Sequence, residues 1–329
     1  MRHRLVATVE SLLIHARLTF LLHRFTLVAV SAMLILVSAV ALYVAFRLRA
    51  VGVTADCLDS MRNFGPKVAA DICKAGTSEF RSINESWAAP LLGAMGGVAP
   101  LAGLLAGAAL VAREIEDGTA PVAWSLSPSR IRWLAARVAP VAILLLVLSA
   151  VASVAATELA GASRPGLDPT LSFYNGSSQG LMPVAAGMLV FAAAMFAGSI
   201  LGRVLPALIV GAMLGLVLVS GVFFSENLWF PGQTIVVDAR MGGQYDGAYV
   251  LDQVVQLPSG EFKSLMDFNF DFDSQGNATG LPPGAALVDR LIPGTRHPFV
   301  DAVEATALAG MAALLLTATA FVVRRRRPY

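Results

Sequence analysis

Apolar residues gather in six long, nearly uncharged runs: Phe25–Phe46, Ala88–Ala112, Trp133–Thr157, Leu181–Leu201, Val204–Ser225 and Ala302–Val323. A helix needs about 20 such residues to cross the hydrocarbon core of a bilayer. Arg137 enters the third run and Glu304 the sixth, each near an end where a charge can reach the interface. The pattern predicts an all-α polytopic membrane protein with six transmembrane helices. Over 1–24 the pattern is different: Leu5, Val9, Leu12, Leu13, Ala16 and Phe20 recur at helical spacing. Arg2, Arg4, Glu10, Arg17 and Arg24 lie mostly off that stripe, which predicts an amphipathic interfacial helix leading into the first span.

Between the fifth and sixth spans, 226–301 reads as a β-rich insertion. Thr234–Val237 is a β-branched run, Tyr249–Leu251 and Val254–Leu257 are further strand candidates, and Pro258-Ser259-Gly260 reads as a turn. Phe268, Phe270 and Phe272 alternate with Asp267, Asn269, Asp271 and Asp273, predicting a strand with one aromatic and one acidic face. It should end at the turn Ser274–Asn277. The organisation is therefore 1–24, interfacial helix; 25–225, five spans with a loop at 47–86; 226–301, β-rich segment; 302–329, sixth span and basic tail.

Composition agrees. Hydrophobic residues make up 56% and charged residues only 14%, against about 25% charged in soluble domains. Charge then sets the expected orientation. With both termini cytoplasmic, 1–24, 113–137, Arg203 and 324–329 face inward and hold 13 Lys+Arg against four acids. That is the excess the positive-inside rule requires, and the 226–301 insertion becomes extracytoplasmic. The run Arg324–Arg327 reads as a stop-transfer flank rather than a nucleic-acid contact. The first run is longer than a signal-peptide core of about 7–15 residues and is followed by Arg47 and Arg49, so it reads as a retained span. Arg outnumbers Lys 21 to 3 in an Ala-rich chain, a GC-rich bias that points to a bacterial plasma membrane.

Chemistry is sparse. Cys57 and Cys73, in the first outer loop, read as a disulfide in an oxidising compartment, with a free buried pair as the alternative. There is no GxxxxGK[ST] loop and no HExxH. The chain is therefore not expected to be an enzyme or to bind a cofactor or metal itself. Asp271, Asp273 and Gly276 fit the start of a calcium loop, but its twelfth position is Pro282, so a solvated strand face is the better reading. The span centres carry no titrating group of the sort that proton coupling uses.

What remains is a charged island, Arg113–Arg137, between two uncharged runs. Glu114, Glu116 and Asp117 are three of the four acids expected on the inner side. Gly118-Thr119 turns the chain, 120–126 has the length of one short helix carrying Val122 and Trp124, and Ser127-Pro128 reads as a helix start. Arg130, Arg132 and Arg137 anchor the third span.

This segment resembles the stretch between the second and third spans of ATP-binding-cassette exporter permeases of the type-2 class, in particular an actinobacterial branch. The match runs through Glu114, Gly118, Thr119, Ala123, Trp124, Ser127, Arg130, Trp133, Leu134 and Ala135. The resemblance implies a permease subunit that moves a hydrophobic or amphipathic substrate by alternating access. It implies two copies of a separate ATPase subunit, which hold ATP and magnesium, and a second permease, identical or related, in a lipid bilayer. It makes 113–132 the coupling segment, with Arg113, Glu114, Glu116, Asp117, Gly118, Thr119, Trp124, Ser127 and Arg130 as its ATPase-coupling residues. The alternatives are a membrane-anchored sensor or assembly protein that presents the 226–301 segment, and a secondary transporter.

Overall fold

The computed structural model describes residues 2–58, 73, 76–126, 129–225, 231–239, 247–269, 271–272 and 278–326; for 2–22, 121, 126, 231, 272 and 278 it describes the backbone alone. Among the described residues, six helices are long and apolar enough to cross a membrane. They belong to α1 (Arg2–Val51), α3 (Ala89–Glu116), α5 (Arg130–Ser163), α6 (Met182–Leu201), α7 (Val204–Phe224) and α8 (His297–Arg325). Two shorter helices are α2 (Thr77–Ile83), which runs into α3, and α4 (Ala120–Leu126), between α3 and α5.

Polar residues extend several spans beyond their apolar runs. The lead segment and the first span form one helical stretch, broken at His23, whose backbone (φ −113°, ψ 19°) leaves the α region. The side chains that would make residues 1–22 amphipathic lie outside the described residues. The second span starts 11 residues before its apolar run, because α2 continues through a π turn at Asn84–Ala88. There Ala89 N–H bonds Asn84 O. Pro90 explains the widened turn, since it has no N–H to give the carbonyl four residues back.

α6 is the axis of the bundle, with Phe191, Ala192, Ala193, Ala194 and Met195 wholly buried. α3 reaches it through glycines: a Cβ on Gly103 would collide with Gly187 O, and one on Gly107 with Phe191 O. Gly211 of α7 lies against Ala194 on another side, where a Cβ would come 2.7 Å from its Cα. Small residues so placed let helix backbones approach in lipid, where dispersion and close packing replace the hydrophobic drive. α1, α5 and α7 keep large apolar side chains outward, among them Ile35, Leu36, Ile143, Val154, Met213 and Leu216. In water such a surface is a liability; around a span it is the lipid-facing side.

The bundle has two ends. Residues 113–126 and 129–130 sit at one, together with the Leu201–Val204 turn and the end of α8. At the other, Cys57 and Cys73 are disulfide-bonded with Cα atoms 5.1 Å apart, and Arg49 pairs with Glu158 at 2.5 Å. A small antiparallel sheet belongs to this second end. Its strands are β1 (Ile235–Asp238), β2 (Tyr249–Gln256), β3 (Phe262–Ser264) and β6 (Ala286–Ile292), in the order β1-β6-β2-β3. The two strand candidates at 249–251 and 254–257 form one strand with an irregularity between Val250 and Asp252, and the 258–260 turn closes a hairpin onto β3.

Of the alternating 268–273 segment, 268–269 and 271–272 are described. Ser264 Oγ accepts the Met266 amide and starts a 3-10 turn over Leu265–Asp267. Among its described residues Asp271–Phe272 (β4) is in a strand, paired with Ala278–Thr279 (β5). Phe270 and 273–277 lie outside the described residues. The local side-chain bond offers the backbone an alternative to the ladder.

Candidate functional site

The island is two helix ends with a short helix slung between them. α3 stops where Gly118 adopts a left-handed conformation (φ 69°), which closes its last carbonyls: Asp117 N–H bonds Arg113 O and Gly118 N–H bonds Ile115 O. Thr119 Oγ donates to Glu114 O, and Thr119 O accepts the first turn of α4. α5 opens on Ser129, whose Oγ accepts the Arg132 amide. Ser127 and Pro128, read above as a helix start, lie outside the described residues; the observed cap is two residues on from Ser127.

α4 is amphipathic over its short length. Ala120 and Trp124 are buried, while Val122 is 62% exposed and Ser125 is exposed. Trp124 meets Trp133 of α5 edge to face, with ring centroids 5.9 Å apart, and Arg130 lies over the Trp124 ring at 4.8 Å. Aromatic and cation–π contacts of this kind each contribute roughly 0.5–1.5 kcal/mol. The Arg130 guanidinium also donates to the Val323, Arg324 and Arg326 carbonyls at the end of α8. One side chain thus joins α4, α5 and the last span.

The three acids do three different things. Glu114 is 7% exposed and forms an ion pair with Arg137 of α5 at 3.3 Å; its Oε1 also lies 3.8 Å from His23 Nε2, at the break in α1. Glu116 Oε2 accepts the Val204 amide at 2.9 Å and so caps α7. Asp117 pairs with Arg113 one turn back at 3.7 Å, both side chains more than half exposed. Arg113, Glu116, Asp117 and Arg132 are exposed, and a cavity of about 460 Å³ lies beside Arg113 and Asp117, bordered also by His23, Glu114, Val122 and Arg137.

Some contributors were not visible in the sequence. His23 and Arg137 join Glu114 from 91 residues before it and 23 after it, and nothing local marks that trio. Ser129 could have been found, because Ser three residues before a helical amide is the ordinary cap spacing. Gly176-Ser177-Ser178-Gln179-Gly180 fits the G-x-S-x-G string of hydrolases. Ser178, however, is buried in a 3-10 turn and donates to Asn175 O, not at a strand-to-helix elbow.

Among the described residues no group of three or more His, Cys, Asp or Glu is placed to hold a metal ion. No curated protein and no solved structure shows significant similarity to the chain. One family model does match: that described as ABC-2 membrane transporter related, over residues 25–226, from the start of the first span to the end of the fifth. Proteins of this kind are the membrane-spanning permease components of ABC transporters, which work with an ATPase subunit. With more than half its length matched and six spanning helices, this multi-pass membrane protein belongs to the ABC-2 membrane transporter related family.

Proposed function

We propose that the chain is the permease subunit of an ATP-driven exporter in a bacterial plasma membrane, and that 113–132 is its coupling segment. The supporting observation is the fastening of α4. It is bound to α5 through Trp124–Trp133, to α8 through Arg130, and to α3 by the Gly118-Thr119 turn, while the Glu114–Arg137 pair locks the helix ends on either side of it. A push on the exposed Val122 side is therefore delivered to three spans at once. In this reading two ATPase copies hold ATP and magnesium, their closure moves α4, and two permeases alternate between inward- and outward-facing states. The termini are cytoplasmic and the sheet is extracytoplasmic, as the basic residues near α4 and at the end of α8 favour. The substrate is hydrophobic or amphipathic, consistent with span centres that carry no ionisable side chain.

The test is copurification with an ATP-binding-cassette ATPase subunit, followed by ATPase assays in lipid. Val122→Asp and Asp117→Lys touch the exposed side and leave the internal contacts in place. Both should uncouple ATP hydrolysis from the permease. Normal coupling in both variants removes the assignment.

A further inference from the structure

The protein does not itself satisfy the polar wall of the cavity beside α4. At about 460 Å³ that cavity falls within the roughly 300–1,000 Å³ of small-molecule sites. It is bordered by the break in α1 at His23, by the end of α3, by the Gly118-Thr119 turn, by α4 and by Arg137 of α5. His23 is 4% exposed, yet neither of its ring nitrogens has a hydrogen-bond partner. Glu114 Oε1 and Arg137 Nη1 pair by charge at 3.3 Å, but they too are covered and without a hydrogen bond. Buried polar atoms left unpaired are rare in folded proteins, and four of them meeting beside one cavity point to a missing partner.

The chemistry of that partner follows from the atoms it must meet. In its neutral form the His23 ring carries one donor and one acceptor. Arg137 Nη1 adds a donor and Glu114 Oε1 an acceptor. Charge is already balanced, Arg137 against Glu114 and Arg113 against Asp117. An oxyanion would satisfy the donors alone and face two carboxylates. An ammonium group would satisfy the acceptors alone and face two guanidiniums. A hydroxyl both donates and accepts. One water does the same, but takes up only about 30 Å³ of the space. Several hydroxyls on one molecule fill more of it and extend from the covered trio to Arg113 and Asp117, whose side chains are more than half exposed. Gly118, Val122 and Ala123 leave the rest of the wall uncharged, which suits the C–H faces of a sugar or polyol.

We propose that this cavity binds a neutral polyhydroxyl group, whose hydroxyls exchange hydrogen bonds with His23, Glu114 and Arg137. The unpaired atoms are covered, so they reach the ligand by rotation of their side chains. The hydroxyls come from the sugar head group of a lipid or from a dissolved sugar. Binding is a property of the single chain and does not rest on how α4 meets an ATPase.

The test uses the full chain without an ATPase, in a polyoxyethylene detergent, which has no sugar head group, and in buffer free of glycerol. Wild type, His23→Phe, His23→Gln and Ala123→Leu are compared. Glucose is titrated by calorimetry, and glucosyl diacylglycerol is counted by native mass spectrometry against phosphatidylcholine, whose head group has no hydroxyl. We expect one saturable site for at least one sugar probe. His23→Phe should weaken it at least fivefold, and His23→Gln, which restores a donor and an acceptor, should return it to within about threefold of wild type. Ala123→Leu, which fills the cavity, should weaken it at least tenfold. Binding of glucose identifies a dissolved sugar; binding of glucosyl diacylglycerol alone, in preference to phosphatidylcholine, identifies a lipid head group. No glucose binding with equal binding of the two lipids overturns the proposal. So does sugar binding that His23→Phe leaves undiminished, or a loss in His23→Gln as large as in His23→Phe. If His23→Phe lowers the melting temperature sharply, Ala123→Leu decides, and unchanged binding there overturns it. ATPase stimulation is read separately, so failure of this site leaves the permease reading standing.

Discussion

Asp301 and Arg326, on and just beyond the same helix, hold the two ends of α6. Asp301 accepts the Leu181 and Met182 amides, and the Arg326 guanidinium donates to the Ser199 and Ile200 carbonyls. The anion meets the positive end of the α6 dipole and the cation the negative end. The central helix of the bundle is thus bracketed by the last one. Charged hydrogen bonds of this type contribute about 1.5–3 kcal/mol each. Asp301→Asn and Arg326→Ala should each lower stability by roughly that amount. The two sites lie at opposite ends of α6, so the double variant should be close to additive in thermal unfolding.

The Glu114–Arg137 pair calls for a different experiment. Removing one partner leaves the other buried without compensation, at a cost of about 3–5 kcal/mol. The double variant Glu114→Gln, Arg137→Gln should destabilise the chain by less than the sum of the two single effects. A double-mutant cycle in detergent measures the coupling; a value near zero would mean that the pair is incidental.

Glu116 and Asp117 adjoin each other and should behave oppositely. Glu116→Lys removes the cap on α7 and places a cation at the positive end of that helix, lowering stability by about 1–2 kcal/mol. Asp117→Lys loses only an exposed ion pair, worth at most about 1 kcal/mol. If Asp117→Lys proves as destabilising as Glu116→Lys in thermal unfolding, the division of labour among the acids is wrong.

Gly107→Val tests the α3–α6 contact. Its side chain would be driven into the Phe191 carbonyl, and overpacking of this type costs roughly 1–3 kcal/mol or more. The same substitution at Gly97, which meets nothing within 4 Å, should be nearly neutral. Melting temperatures of the two variants check the contrast.

The Cys57–Cys73 bond closes a loop of 16 residues, for which chain entropy predicts a stabilisation of about 3 kcal/mol. Cys57→Ser should speed proteolysis between the first two spans and leave the span cores intact. The bond also reports orientation. Mass spectrometry of non-reduced membranes should find it formed if that loop faces an oxidising compartment.

How much of this could be read from the chain depends on range. The six spans were legible because a bilayer demands an uninterrupted apolar run, and that demand is local. β1, β2 and the 258–260 turn were legible for the same reason. β6 was not anticipated, although Pro283-Gly284 and Pro293-Gly294 frame its ALVDRLI run. Its two charges hid an otherwise apolar strand; Asp289 accepts from Gln253 across the sheet, and Arg290 pairs with Asp252. The island's acids looked alike because composition cannot separate a buried carboxylate from an exposed one. Arg137 distinguishes Glu114, and Val204, 88 residues away, distinguishes Glu116. Those are tertiary facts with no local signature.

β6 lies inside the sheet and enters α8 through only Pro293 and the single turn Gly294–Arg296. With so short a connection, the sheet acts as a lever arm mounted on the last span. Seven residues of strand at about 3.3 Å each give a reach of roughly 23 Å, so a tilt of about 10° in that span would sweep the far edge through some ~4 Å. A label on β3 would register a motion too small to see within the bundle itself.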